Sequence, residues 1–140
     1  MNISAVIDAS ALEKRLKSIN LDLAVYKAFS KTAQQGINVI LDRTAKGLGI
    51  YAPFKSYSNQ YAAFRADKGR STNPDLNFSG KMLGSMKSRV KLKERAAYIY
   101  FSRSAEAKKA VANNKLRPFF GFNDREKNKL IRFFRKNLNL

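Results

Sequence analysis

The sequence predicts an α+β fold: a long N-terminal helix packed on a small antiparallel sheet with a β-hairpin, a long central arm, and a C-terminal helix. Three observations carry this reading. Leu21, Val25, Ala28, Phe29, Ala33, Ile37, Ile40, Leu41 and Thr44 recur at helical spacing, which marks a face packed on a core. Arg89, Lys91 and Lys93 alternate with Val90 and Leu92, and after Glu94-Arg95 the alternation resumes as Ala97, Ile99 and Phe101 against Tyr98 and Tyr100. That two-residue period reads as an antiparallel hairpin with a basic outer face on its first strand. Between them, residues 47–86 hold five of the seven glycines and two of the three prolines, punctuation that excludes long regular elements.

Taken in order, Met1 to Ile7 alternates weakly and fits a short strand. Ser10-Ala-Leu-Glu13 has the capping-box pattern and predicts a first helix over 11–19. A second, longer helix comes next over 21–46, ended by Gly47 and Gly49. Gly36 inside it costs about 1 kcal/mol relative to alanine; close approach of another backbone and a tolerated defect are both open. Within the arm, residues 58–66 form a short helix that groups Tyr61 and Phe64, Gly69 to Pro74 is turn-rich, and residues 78–86 make another helical turn. After the hairpin, a polar helix opens at Ser104 and runs out at Asn113-Asn114. Arg117-Pro-Phe-Phe-Gly-Phe122 is too broken for a central strand. Asn123-Asp-Arg-Glu126 is a second capping box, starting a final helix to about Leu138 whose apolar side is Leu130, Ile131, Phe133, Phe134 and Leu138. No internal repeat is present.

With 140 residues, the chain is read as a single domain with room for a core of its own. It has no cysteine and no histidine, so disulfides, thiolate or imidazole metal sites and Cys- or His-based triads are excluded. No apolar run approaches the ~18 residues of a membrane span, and Asp8 interrupts what a signal peptide would need; a cytoplasmic protein without a membrane is the expectation. The net charge of +18, from 28 Lys and Arg against 10 Asp and Glu, favours acidic partners: nucleic acid, anionic membrane or an acidic protein surface. A solvated basic surface with no such partner is the plainer alternative.

No catalytic constellation is visible. The acidic residues are scattered, and Asp67 and Asp75, which share the arm, are better explained as turn formers than as metal ligands. Ser79-Gly80-Lys81 lacks the spacing of a phosphate loop. The expectation is a non-enzyme with no cofactor and no metal. The arm mixes cations and rings: Lys55, Arg65, Lys68 and Arg70 beside Tyr51, Phe54, Tyr57, Tyr61 and Phe64. Such interleaving suits stacking on nucleic acid bases, and equally suits a core or a subunit interface. The final helix also has the look of a basic amphipath that could lie on a membrane, although the aromatic run before it favours anchoring in the domain.

Several segments together resemble phage virion-morphogenesis proteins of the tail-completion and head–tail connector kind. The matching pieces are Arg43-Thr44 with Gly47 and Gly49; Ala52-Pro53-Phe54 with Tyr57-Ser58-Asn59-Gln60-Tyr61; Leu76-Asn77-Phe78-Ser79-Gly80-Lys81-Met82-Leu83-Gly84-Ser85; and Arg117-Pro118-Phe119-Phe120-Gly121-Phe122. Their order matches over residues 21–138. The chain departs from many relatives in having Ser104 to Asn114 where they carry a His-Gln-x-Gly segment. The resemblance implies a structural subunit of the virion neck, assembled in the host bacterial cytoplasm into a ring, with a hexamer expected, at the capsid–tail junction of a tailed phage or prophage. Its partners would be further copies of itself, neighbouring neck, connector or tail-terminator proteins, and genome DNA in the channel. Subunit contact is assigned to Tyr51, Phe54, Tyr57, Tyr61 and Phe64, and with them Leu76, Met82, Leu83, Arg117, Phe119 and Phe120. DNA or acidic-surface contact is assigned to Lys55, Arg65, Lys68 and Arg70, and to Lys87, Arg89, Lys91 and Lys93 on the hairpin. The arm from Tyr51 to Arg70 is expected to be removable without unfolding the subunit.

Overall fold

The computed structural model describes residues 9–138, and side chains from residue 21 onward; the strand expected over residues 1–7 lies outside them. The elements are α1 (Ala9–Ala45), α2 (Asn59–Asp67), α3 (Lys81–Gly84), β1 (Met86–Lys91), β2 (Ala96–Phe101), α4 (Ser104–Leu116) and α5 (Asp124–Asn137). Together they make the α+β arrangement: a long helix, a two-stranded antiparallel sheet and a C-terminal helix.

The two helices expected over 11–19 and 21–46 are one. Asn20 costs well under 1 kcal/mol inside a helix, and no Gly or Pro stands near it, so nothing stops the helix there. Ser10 therefore lies inside α1, and the capping box expected of its side chain lies outside the described side chains. The inward stripe of Ala28, Ala33, Ile37, Ile40 and Thr44 is buried, as the spacing requires. At Gly36 it is side chains, not another backbone, that approach: a Cβ would meet the Phe122 ring at 2.9 Å and Ile99 Cδ1 at 3.2 Å. The helix ends at Gly47, whose φ is +72°. Its N–H donates to Thr44 O at 2.9 Å, and that of Leu48 to Arg43 O at 3.1 Å, the paired bonds of a Schellman motif that needs a left-handed residue.

The hairpin pairs Met86 with Phe101 and Lys91 with Ala96. Its first strand begins at Met86, where a helical turn was expected, because Met86, Ser88 and Val90 alternate inward while Lys87, Arg89 and Lys91 face out. A 3₁₀ turn, Leu92–Glu94, and Arg95 at φ +49° close it. Polar helix α4 runs past Asn113-Asn114 to Leu116. Asn114 Oδ1 accepts from the N–H groups of Phe119 and Phe120, both at 3.0 Å, so this asparagine organises the turn after the helix. Helix α5 starts with the predicted capping box between Asn123 and Glu126 and lies along α1, with Phe134 packed on Phe29 at 4.7 Å between ring centres.

Ile37 and Ile40 of α1, Phe54 and Leu76 of the arm, Met82, Leu83 and Met86, Ala110 of α4 and Phe119 form one buried cluster. Phe119 is fully enclosed, and Phe101 and Phe120 pack on it. Enclosing a ring of this kind contributes roughly 1.5–3 kcal/mol.

Candidate interaction surface

The arm is not a free excursion. Gly49 N–H donates to Ala52 O at 2.8 Å and Phe54 N–H to Gly47 O at 2.8 Å, making a tight bend that leaves Tyr51 at its tip, 82 % exposed. Ile50, inside the same bend, is tied to the C-terminal part of the chain: its N–H donates to Pro118 O at 2.9 Å, and its carbonyl accepts from Asn123 Nδ2 at 3.0 Å. Gly49 is there to let two carbonyls approach, since an added Cβ would meet Pro118 O at 2.7 Å and Ala52 O at 2.9 Å.

Two arginines brace the arm beyond this bend. Arg65, on α2, is only 1 % exposed. Its Nε donates to Ser71 O at 2.6 Å, and its Nη2 to Asp75 Oδ1 at 2.8 Å and to Asn77 O at 3.1 Å. Burial works against its charge, but Tyr61, Tyr57 and Asp75 outweigh that and hold its pKa above the ordinary value. Arg117 reaches in from the end of α4, donating to Lys55 O at 2.6 Å and Ser56 O at 2.9 Å. Both guanidiniums sit over Tyr57, at 4.9 and 4.7 Å from its ring centre, and Tyr57 Oη accepts from Leu76 N–H at 3.1 Å. Leu76 is buried with φ +56°, a left-handed conformation that a leucine adopts only when its surroundings hold it.

On this frame stands a continuous row of rings. Tyr57 meets Tyr61 edge-on at 4.9 Å, Tyr61 stacks on Phe64 at 6.1 Å, and Phe64 on Phe78 at 5.8 Å. Tyr61, Phe64 and Phe78 are 39, 47 and 37 % exposed. Lys68 lies over Phe64 and Arg70 over Phe78. Between this row and α4 is an open cleft of about 570 Å³, into which Glu106, Leu116 and Arg117 also face. The row is thus a continuous, partly exposed aromatic surface flanked by two cations.

The structure divides the residues assigned to partner contact. Tyr51, Tyr61 and Phe64 are presented outward, with Tyr57 half-buried at the root of the row. Phe54, Leu76, Met82, Leu83 and Phe119 are not available to a partner: they fill the chain's own core, because burying large apolar side chains within the subunit is their cheapest arrangement. Phe120 packs on that core, and Arg117 is spent on the arm's carbonyls. Of the residues assigned to DNA or an acidic surface, Arg65 is corrected in the same way: it is enclosed and paired with Asp75. Lys55, Lys68, Arg70, Lys87, Arg89, Lys91 and Lys93 are exposed. The arm cannot be removed without cost either, since residues 51–70 include Phe54 and Arg65. Phe78 and Asn114 were missed by sequence reasoning; the Phe64–Phe78 pairing crosses a turn that no periodicity connects.

Asp75 accepts from Arg65 and from the N–H of Asn77 at 2.9 Å, so it shapes the turn, as expected. Among the described residues no group of three or more metal-ligating side chains converges, and no helix is long and apolar enough to cross a membrane. Comparisons with family models, with curated proteins and with solved structures give no match.

Proposed function

We propose that this chain is a structural assembly subunit of the tail-completion or head–tail connector type, which forms a ring at the capsid–tail junction of a tailed phage or prophage and makes or breaks no covalent bond. The observation that carries the reading is the outward row Tyr61, Phe64 and Phe78 on an arm fixed from within by Arg65 and Arg117. A rigid apolar row on a strongly charged protein suits a partner surface, because little conformational freedom is lost when it docks. In a cyclic ring each subunit offers one patch to a different patch on the next, and the row and the cleft beside it supply such a patch. The sequence resemblance supports the same reading, since the segments that carry it, Arg43-Thr44, the arm and Arg117 to Phe122, are the ones bonded to one another in the fold.

The test is composition and assembly. Purified particles should contain the chain in stoichiometric amount at the neck, and a phage lacking it should accumulate unjoined heads and tails. Its absence from finished particles, with joining unaffected, would overturn the proposal.

A further inference from the structure

The hairpin carries a second surface, which meets the end of the arm at Ser79 to Ser85. Lys87, Arg89 and Lys91 project from one face of β1, about 6.8 Å apart by the two-residue repeat of a strand. On the same face, Tyr100 stands opposite Lys87 and Tyr98 opposite Arg89, and both rings are 44 % exposed. The opposite face, with Val90, Ile99 and Phe101, turns towards α1 and the core. At the open end of the hairpin, Lys87 also borders a hollow of about 370 Å³ that it shares with Lys81, Arg103, Ser79, Ser85 and Ser102. From Lys81 to Arg103 the chain has seven of its 28 cations and one carboxylate, Glu94. Glu94 sits at the far turn, where it engages Tyr98 and, at 3.7 Å, Lys91. Among the described residues, Lys81, Lys87, Arg89 and Arg103 have no carboxylate partner.

We propose that this face binds single-stranded nucleic acid, with Lys81, Lys87, Arg89 and Arg103 taking backbone phosphates and Tyr98 and Tyr100 stacking on bases. The charge complementarity is with a polyanion, since the hollow and the track leading from it are cationic and lined with hydroxyls. The rings select the strand. Tyrosines alternating with cations on an open face meet unpaired bases, whose flat faces a duplex keeps inside its stack. An acidic protein surface would satisfy the cations but would leave the two rings without a matching partner.

The test uses the full chain and fluorescence anisotropy with a labelled oligo-dT strand, the same sequence as a duplex, and poly-glutamate as competitor. Changing Lys87 and Arg89 to alanine should weaken binding at least about tenfold and lower the slope of log affinity against log salt by about 1.4, the release expected for two phosphates on a single strand. Removing three charges from α5, as Lys127→Ala, Arg132→Ala and Lys136→Ala, should change affinity less than about threefold. Tyr98→Thr with Tyr100→Thr keeps strand-forming residues and should cost at least about tenfold on the single strand while leaving the salt slope in place. Lys81→Ala with Arg103→Ala lies outside the strands, and so reports on the hollow even if the strand variants fold poorly; it too should weaken binding. The proposal is overturned if the α5 variant loses as much as the hairpin variant, if the tyrosine variant binds as well as the parent, if the duplex binds as tightly as the single strand, or if poly-glutamate displaces the strand at equal charge.

Discussion

Arg43, in the last turn of α1, and Glu126, in the first turn of α5, form an ion pair that closes the C-terminal part of the chain onto the long helix. The same guanidinium donates to Phe119 O at 2.5 Å and Gly121 O at 3.0 Å. The same carboxylate accepts from Asn123 N–H at 3.0 Å as half of the capping box. One pair therefore ends one helix's work and starts another's, and it fixes the path of Arg117 to Phe122 between them. Removing one partner leaves the other charge enclosed, so Arg43→Ala should destabilise the fold by about 3–5 kcal/mol in urea unfolding. Arg43→Lys should rescue little of it, because a single ammonium cannot reach two carbonyls and a carboxylate in a planar fork.

How much of this was legible depends on the range of each interaction. The buried stripe of α1, the α5 capping box, the hairpin with its basic outer face and the helix in the arm are local patterns, and spacing alone carried them. The arm's rings were visible as a composition, but whether each faced in or out was not. Phe54 and Phe64 look alike in sequence, yet one is in the core and the other on the surface. What separates them is that Phe54 joins the buried cluster that holds Met82, Leu83 and Phe119, more than 25 residues away from Phe54 in the chain. Arg65 likewise read as a surface cation because its partners, Ser71, Asp75 and Asn77, lie in a turn without periodicity.

Gly49 and Gly84 make a matched pair for testing close approach. An alanine at Gly49 would collide with the carbonyls of Pro118 and Ala52, whereas at Gly84 it would meet nothing within 4 Å. Gly49→Ala should cost about 1–3 kcal/mol, as overpacked sites do. Gly84→Ala should be neutral or stabilising by up to about 1 kcal/mol, because it restricts the unfolded chain. Equal effects in chemical unfolding would contradict the tight bend at Gly49.

The phenol of Tyr98 donates to Glu94 Oε2 at 2.5 Å. This hydrogen bond, and then the carboxylate's charge, hold its pKa above the ordinary value. The folded state thus favours the protonated phenol. The resulting stabilisation is whole below the unfolded-state pKa of about 10 and is lost as pH rises through the higher folded value. Glu94→Gln should bring Tyr98 to titrate earlier in ring-resolved NMR. The stability difference between parent and variant should shrink as pH rises through that window.

The arm reading makes a prediction that separates assembly from folding. Tyr61 and Phe64 are partly exposed, but Tyr61 also supports the enclosed Arg65 charge, so Tyr61→Ala with Phe64→Ala should leave a folded monomer about 1–3 kcal/mol less stable in unfolding. If the row is the subunit contact, the same two changes remove aromatic anchors from an interface, where each such ring typically carries about 2 kcal/mol or more. Association measured by light scattering should then weaken by well over about thirtyfold, and particles should fail to join. Arg65→Ala is the contrasting variant: it strips the enclosed brace beneath the rings and should lower stability itself by about 3–5 kcal/mol. A Tyr61 and Phe64 double variant that folds, associates and completes particles like the parent would remove the row from the assembly surface, while an unstable Arg65 variant would still stand as evidence for the brace.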